Sequence, residues 1–307
     1  MLSLRRARKS QPGWVAMAPH GELAHVVHLV SADGERPALR WACTVPWHEP
    51  ADALRKLRRA RPLQQQRTVA LMQHGQYQLL TLDAPELPRE EWRDAIRWRL
   101  KDLVDFAVDS AGVDVIEIPA DPQQRRKPTL IAVAAPRSAL EPLAEAGAGA
   151  GLPWHAIDVP ETALRNIAVL GAEAGRAEAL LHVGSRHSTL VVAAQGELLL
   201  SRHIEITLEQ LTDPDADARQ QSFERASLEL QRTLDAVERQ FSHAALARLQ
   251  VAPGAPLQNF IDHVRDLVYV PVGAFELGSV LDLSAVPELT DPTEQAAYLP
   301  AIGAALR

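Results

Sequence analysis

Twice along this chain three short apolar runs follow one another across glycine-bearing turns, and this repetition constrains the fold more than any other feature. The first set covers residues 14–18, 23–30 and 38–45, with turns at Pro19-His20-Gly21 and Ala32-Asp33-Gly34. The second covers residues 179–183, 189–194 and 198–204, with turns at Gly184-Ser185 and Gln195-Gly196. Val- and Leu-rich runs of this length, punctuated by Gly, Asp-Gly and Gln-Gly, have the pattern of antiparallel strands. Two copies in one chain predict a duplicated lobe with a cleft between the halves.

Between and after the copies the pattern predicts a helix at 52–61, strands at 68–72 and 77–82, and a helix opening at Arg89 behind Pro85-Glu86-Leu87-Pro88, since proline is tolerated in a first helical turn. Trp92, Ile96, Leu100 and Leu103 give that helix an apolar stripe,. Glu90 with Arg93 and Asp94 with Arg97 are spaced to pair along its polar side,. Residues 113–118 and 129–134 form a hairpin about the basic turn 123–127. Gly147-Ala148-Gly149-Ala150-Gly151 follows the helical stretch 139–146, so these glycines end a helix. A dinucleotide fingerprint would instead follow a strand and open a helix. Residues 157–170 return the chain to the first lobe. The second lobe carries a helix at 222–241 with Phe223, Ala226, Leu230, Leu234, Val237 and Phe241 on one face,. The turn residues Asp213-Pro214-Asp215 precede it,. A strand at 246–251, a helix at 257–267, a strand at 269–272 and a last helix at 293–306 follow. The resulting division is a first lobe of 1–76 with 151–172, an inserted α/β subdomain of 77–150, and a second lobe of 173–307.

No apolar run approaches the roughly 20 residues of a membrane-spanning helix, and the basic residues Arg5, Arg6, Arg8 and Lys9 are not followed by a signal-peptide core,. The expected location is the cytoplasm. Cys43 is the only cysteine, which excludes an internal disulfide and a thiolate zinc site and predicts a small buried apolar residue. A net charge of −7 argues against nucleic acid as a partner,. Arg55, Lys56, Arg58, Arg59 and Arg61 make one basic helix face; its plain reading is a solvated surface, its functional one contact with anionic lipid at the inner membrane. No G-x-S-x-G elbow, Walker loop or H-E-x-x-H motif occurs. His182 and His187 sit across one turn, but with no expected carboxylate or thiolate beside them the plain reading is hydrogen-bonded imidazole, so no metal site is expected. Asp109, Asp114 and Glu117 form an acidic patch expected to be solvated.

Four segments carry a family resemblance. Residues 91–106, containing Ala95-Ile96-Arg97-Trp98 and Phe106, resemble the "AIRWE…YIPF" segment of PilM-like type IV pilus assembly proteins, and 157–164 resembles their "DVEALAL" step. Residues 228–235 resemble "EIQRSLD" and 301–307 the terminal "AIGLALR". In this order they are similar to the PilM-like branch of the actin-like superfamily, most narrowly the MshI proteins of mannose-sensitive haemagglutinin (MSHA) pilus biogenesis. The resemblance implies an actin-like (RNase H-like) duplicated two-lobe α/β fold with an inserted subdomain of the PilM/FtsA type.

It also implies where nucleotide chemistry would sit, and there the sequence departs from the superfamily. Actin-like ATPases surround phosphates with glycine-rich hairpin turns led by aspartates. Here the first aspartate position falls on Ala16, its glycine on Ala18, and Pro19 has no N–H to offer,. In the second hairpin Gly184 and Ser185 persist, but His182 stands for the aspartate, and imidazole is a poor ligand for Mg²⁺. The third turn reads Ala252-Pro253-Gly254 where Gly-Gly is expected. Leu211-Thr212 is followed almost directly by the long helix, which implies a reduced outer subdomain. The expectation is a pseudo-ATPase with no catalytic residues and no cofactor, Gly184, Ser185 and Gly254 being the vestige of a nucleotide cleft. By resemblance it would be a scaffold at the inner membrane that binds the cytoplasmic N-terminal peptide of a PilN-like partner. Trp98, off the Trp92 stripe, either contributes to that contact or packs within the subdomain. Two rivals are a nucleotide-responsive switch of the same machinery and a type II secretion component like the cytoplasmic domain of GspL. GspL continues into a membrane helix, whereas this sequence ends at Arg307.

Overall fold

The computed structural model describes residues 13–31, 35–119, 128–241 and 243–307. The basic N-terminal residues, the turn at Ala32-Asp33-Gly34 and the basic turn 123–127 lie outside them. In the first lobe β1 (Trp14–His20), β2 (Leu23–Val30) and β3 (Ala38–Pro46) are antiparallel, followed by α1 (Pro50–Ala60) and β4 (Arg67–Leu71), which lies parallel to β1. The chain then leaves for β5 (Gln78–Asp83), α2 (Trp92–Leu100), β6 (Gly112–Glu117), β7 (Thr129–Ala135) and α3 (Arg137–Gly149). It returns through β8 (Ala156–Asp158), parallel to β4, and α4 (Pro160–Ala168). The second lobe repeats the plan with β9 (Ala177–Val183), β10 (Ser188–Ala194), β11 (Glu197–Ile204), α5 (Leu208–Leu211), α6 (Ala216–Gln240), β12 (Leu246–Ala252), α7 (Gln258–Arg265) and β13 (Val272–Ala274). After α8 (Leu277–Val280) comes α9 (Pro292–Ala305).

The two large sheets have the same strand order, β3-β2-β1-β4-β8 and β11-β10-β9-β12-β13, with three antiparallel strands followed by two parallel ones. This is a duplicated, RNase H-like two-lobe α/β fold, as expected from the repeated strand triplets. Period-2 alternation explains why both faces of the first sheet are apolar. Ala16, Ala18, Val27 and Leu29 face the core shared with the second lobe, while Val15, Met17, Val26 and Ala70 face α1 and α3. The subdomain sheet has the order β5-β7-β6, and Trp92, Ile96 and Leu100 of α2 pack on it.

Several expectations need correcting. Helix α2 ends at Leu100, so Leu103 leaves the stripe and is exposed. Arg93 pairs with Asp114 at 2.9 Å, and Arg97 donates to the carbonyls of Val108 and Ala111 at 2.8 and 2.7 Å, because β6 and its lead-in lie closer than the same-helix carboxylates. Helix α6 begins six residues before the expected start, where Asp215 accepts from the amides of Asp217 and Ala218,. The strand expected at 269–272 is β13, shifted to Val272–Ala274. The glycine run does end α3: Gly151 has φ +66°, its amide reaches Ala148 O, and that of Leu152 reaches Gly147 O, a Schellman arrangement. Arg55 and Arg58 of the basic face donate to the carbonyls of Gly149 and Ala150 at this same helix end, while Arg61 stacks over Trp41,. Lys56 and Arg59 stay exposed. The acidic patch is paired rather than simply solvated, with Lys101 on Asp109, Arg93 on Asp114 and Arg89 on Glu117. Cys43 is half-buried rather than buried. Among the described residues no helix is long and apolar enough to cross a membrane.

The lobes are joined by two helices that change sides. Helix α4, from the first lobe, packs on β9, β10 and β11 of the second. Helix α9, expected within the second lobe, packs on β1, β2 and β4 of the first and crosses α4. Its sequence explains its burial: from Ala296 to Ala305 it carries no charge and, apart from Tyr298, no polar side chain, so most of its surface is covered,. At the crossing a Cβ on Gly303 would lie 2.1 Å from the carbonyl oxygen of Ala163, and Asn166 donates to Gly303 O at 2.9 Å. Only glycine admits this approach.

Candidate functional site

The cleft between the lobes encloses about 420 Å³. Its walls are the end of β1 (Ala18, Pro19, His20), the end of β4 (Leu71, Met72), the β9–β10 loop (residues 184–187) and one side of α9 (Ala296, Ala297, Pro300). Among the described residues no Asp or Glu lines it.

The two hairpins that would hold phosphate differ in length. Strand β1 runs through Pro19 and His20, two residues into the expected turn, and closes with Gly21-Glu22, where Gly21 supplies φ +62°, as a primed two-residue turn requires. The second hairpin keeps a four-residue loop, Gly184-Ser185-Arg186-His187, between β9 and β10. Its first glycine and its serine hydroxyl are already engaged. The Gly184 amide donates to His187 O at 3.1 Å, the Gly184 carbonyl accepts from the Leu208 amide at 2.9 Å, and a Cβ on Gly184 would lie 2.7 Å from His187 O. The Ser185 hydroxyl meets His20 Nε2 across the cleft at 2.9 Å, and the Arg186 guanidinium packs on Gly21. The hairpin tips therefore touch each other where an anion would have to lie. Gly184 and Ser185 do line the cleft. Gly254 does not, being packed against Ala274 and Phe275.

His182 has a structural partner on α9. Pro300 lacks the N–H that would bond the carbonyl four residues earlier, and that carbonyl, on Ala296, is 2.8 Å from His182 Nε2. The imidazole thus satisfies an acceptor the proline leaves open. Burial depresses the His182 pKa, the hydrogen bond to Ala296 opposing it, so a neutral ring with its proton on Nε2 fits the site.

His182 is thus a hydrogen-bonded imidazole, as its plain reading had it, while His187 lies against His74 and His203. Ring centroids lie 4.5 Å apart for His74 and His187, 4.0 Å for His74 and His203, and 5.2 Å for His187 and His203. A carboxylate, not expected here, stands behind them. Glu161 of α4 is fully buried and accepts from the Tyr77 hydroxyl at 2.7 Å and from His203 Nε2 at 2.8 Å. Burial, then the Glu161 charge, pushes the Tyr77 phenol well above its ordinary range. Burial, then the other histidines, lowers His187 to about 4. Burial, followed by Arg186, also lowers His20.

Trp98 stands on the subdomain surface, 73% exposed, with Lys101 Nζ 4.3 Å from its ring centre. Its ring contact is with Lys101, and it is not part of the subdomain core. The sequence pointed to Gly184, Ser185 and Trp98 but not to His74, His203 or Glu161, which are brought together only by the pairing of β10 with β11 and the docking of α4. A proline inside the last apolar helix was the one available signal that some donor must face Ala296.

No protein-family model matches the chain, and no curated protein does. Among solved structures, a chain of the "PilM-PilN type IV pilus biogenesis complex" is similar over 97% of this chain and 98% of that one, with TM-score 0.74 and 19% identity. The cytoplasmic domain of EpsL, an inner-membrane component of the type II secretion system of Vibrio cholerae, is similar at TM-score 0.47 and 11% identity over 78% and 81% of the two chains. A Bacteroides thetaiotaomicron protein with an actin-like ATPase fold is similar at TM-score 0.49 and 9% identity over 95% and 96%. The fold is the actin-like one, in the form taken by the pilus-biogenesis chain.

Proposed function

We propose that this chain is a non-catalytic scaffold of a type IV pilus assembly platform, of the MSHA type, that sits at the cytoplasmic face of the inner membrane and binds the N-terminal peptide of a PilN-like partner. The observation that carries the non-catalytic part is the absence of any Asp or Glu from the described lining of the cleft. Phosphoryl transfer depends on positioning and charge stabilisation, and here Mg²⁺ finds no oxygen ligand from Asp or Glu and a triphosphate meets hairpin tips already bonded to each other. The partner rests on the similarity to the pilus-biogenesis chain, which was solved together with PilN. The family-like segments support the same reading: 157–164 and 301–307 supply the two faces of the α4–α9 crossing. Trp98 is the contact residue, because a large exposed aromatic on a sheet-backed subdomain is an anchor for a peptide.

The test is retention of a fluorescent peptide from the N-terminus of a PilN-like protein by the full chain, compared with W98A. Wild type should bind saturably and W98A should lose at least about tenfold in affinity, with unfolding unchanged within about 0.5 kcal/mol. Equal binding by both removes Trp98 from the contact; no binding by either overturns the partner.

A further inference from the structure

We propose that His74, His187 and His203 form a site for a zinc-class divalent transition metal ion that clips the two lobes together, with Glu161 orienting His203. The ligating nitrogens of the three rings all lie within 4.8 Å of one another. They come from separate elements: His74 from the first-lobe turn after β4, His187 from the β9–β10 loop and His203 from β11. An ion held by all three is therefore bonded to both lobes. Imidazole suits Zn²⁺, and three histidines with a water in the fourth position is an established zinc arrangement. Tetrahedral Zn–N bonds of about 2.0–2.1 Å place ligand nitrogens about 3.3 Å apart, a spacing the His74 and His187 rings approach by rotating about their broad terminal torsion.

The surroundings fit such an ion. His203 gives its Nε2 side to Glu161, leaving Nδ1 with only the Thr189 hydroxyl at 3.3 Å. A carboxylate behind a ligating histidine fixes its tautomer and raises its basicity. Tyr77 holds the other Glu161 oxygen, so both oxygens of this buried carboxylate accept a hydrogen bond. The trio lies where the main cleft meets a second cavity of about 350 Å³, so an ion can enter.

The test uses tag-free full chain stripped with chelator and titrated with Co²⁺ followed by visible absorption, then with Zn²⁺. The site predicts saturation at one ion per chain with the intense spectrum of four-coordinate Co²⁺, bleached by Zn²⁺, and a thermal midpoint raised by Zn²⁺. H74A, in an exposed turn, should lose both signals; H187A provides a second check, and E161Q should weaken binding about 10- to 100-fold. A Co²⁺ spectrum like that of the hydrated ion, or equal titration of wild type and H74A, would mean that the rings only stack and would overturn the site. Neither nucleotide nor peptide enters these readouts, so the result is independent of the scaffold reading.

Discussion

The base and the mouth of the inter-lobe contact are built in opposite ways. At the base, α4 and α9 cross with backbone nearly on backbone, Gly303 against the Ala163 carbonyl, inside a continuous apolar core. At the mouth the lobes meet through single polar contacts, His20 with Ser185 and the His74, His187 and His203 rings. Close packing tolerates no adjustment without cost, whereas an exposed hydrogen bond contributes about 0.5–1.5 kcal/mol. The base is therefore a fixed joint and the mouth an adjustable one. In this protein the adjustable end holds imidazoles instead of the carboxylates that Mg²⁺ would need.

The contrast can be broken at several points. The largest effect is expected at Gly303: alanine in a helix normally gains about 1 kcal/mol over glycine, but here the Cβ collides with backbone, so G303A should lose at least about 3 kcal/mol in denaturant unfolding. A neutral or stabilising G303A would mean that the crossing can relax. Next is H182A, expected to cost about 1–3 kcal/mol by leaving the Ala296 carbonyl unpaired. In a P300A background the restored amide supplies the missing donor, so the same change should cost much less, and a double-mutant cycle with no coupling would contradict the role given to His182.

His25 sharpens the comparison through pH. Burial, then the His20 charge, lowers it to about 4, against about 6.5 in the unfolded chain. Between these values the unfolded chain holds more protons, so stability should fall as pH drops from about 6.5 towards 4. H25Q should flatten that slope, read from thermal midpoints across the window; an unchanged slope would assign it to other groups. The smallest effect is expected at the mouth, where S185A should cost no more than about 1 kcal/mol, since the contact is exposed.

The duplicated sheets were legible because alternation and Gly-bearing turns are local signals. The strand triplets appear where expected, and Gln195-Gly196 makes the tight turn with both residues at positive φ. The helix ends were less so: Leu103 fell off α2, and α6 starts at an Asp215 cap rather than at the first apolar residue. What could not be seen was anything set by long-range docking. That α9 is largely covered follows from its apolar sequence, but neither the lobe it packs on nor its seat beside Ala163 does. His74, Glu161 and His203 are far apart in the chain and meet only when β11 and α4 are in place. The fate of Gly254 was hidden for the same reason, since β13, which covers it, is too short to announce itself.

The most direct measurement is a calorimetric titration of the full chain with Mg-ATP carried to millimolar nucleotide. A docking body whose phosphate turns are bonded to each other should give no saturable heat. A saturable isotherm, lost in a variant that enlarges the Gly184 position, would show that the cleft still grips triphosphate and would contradict the account.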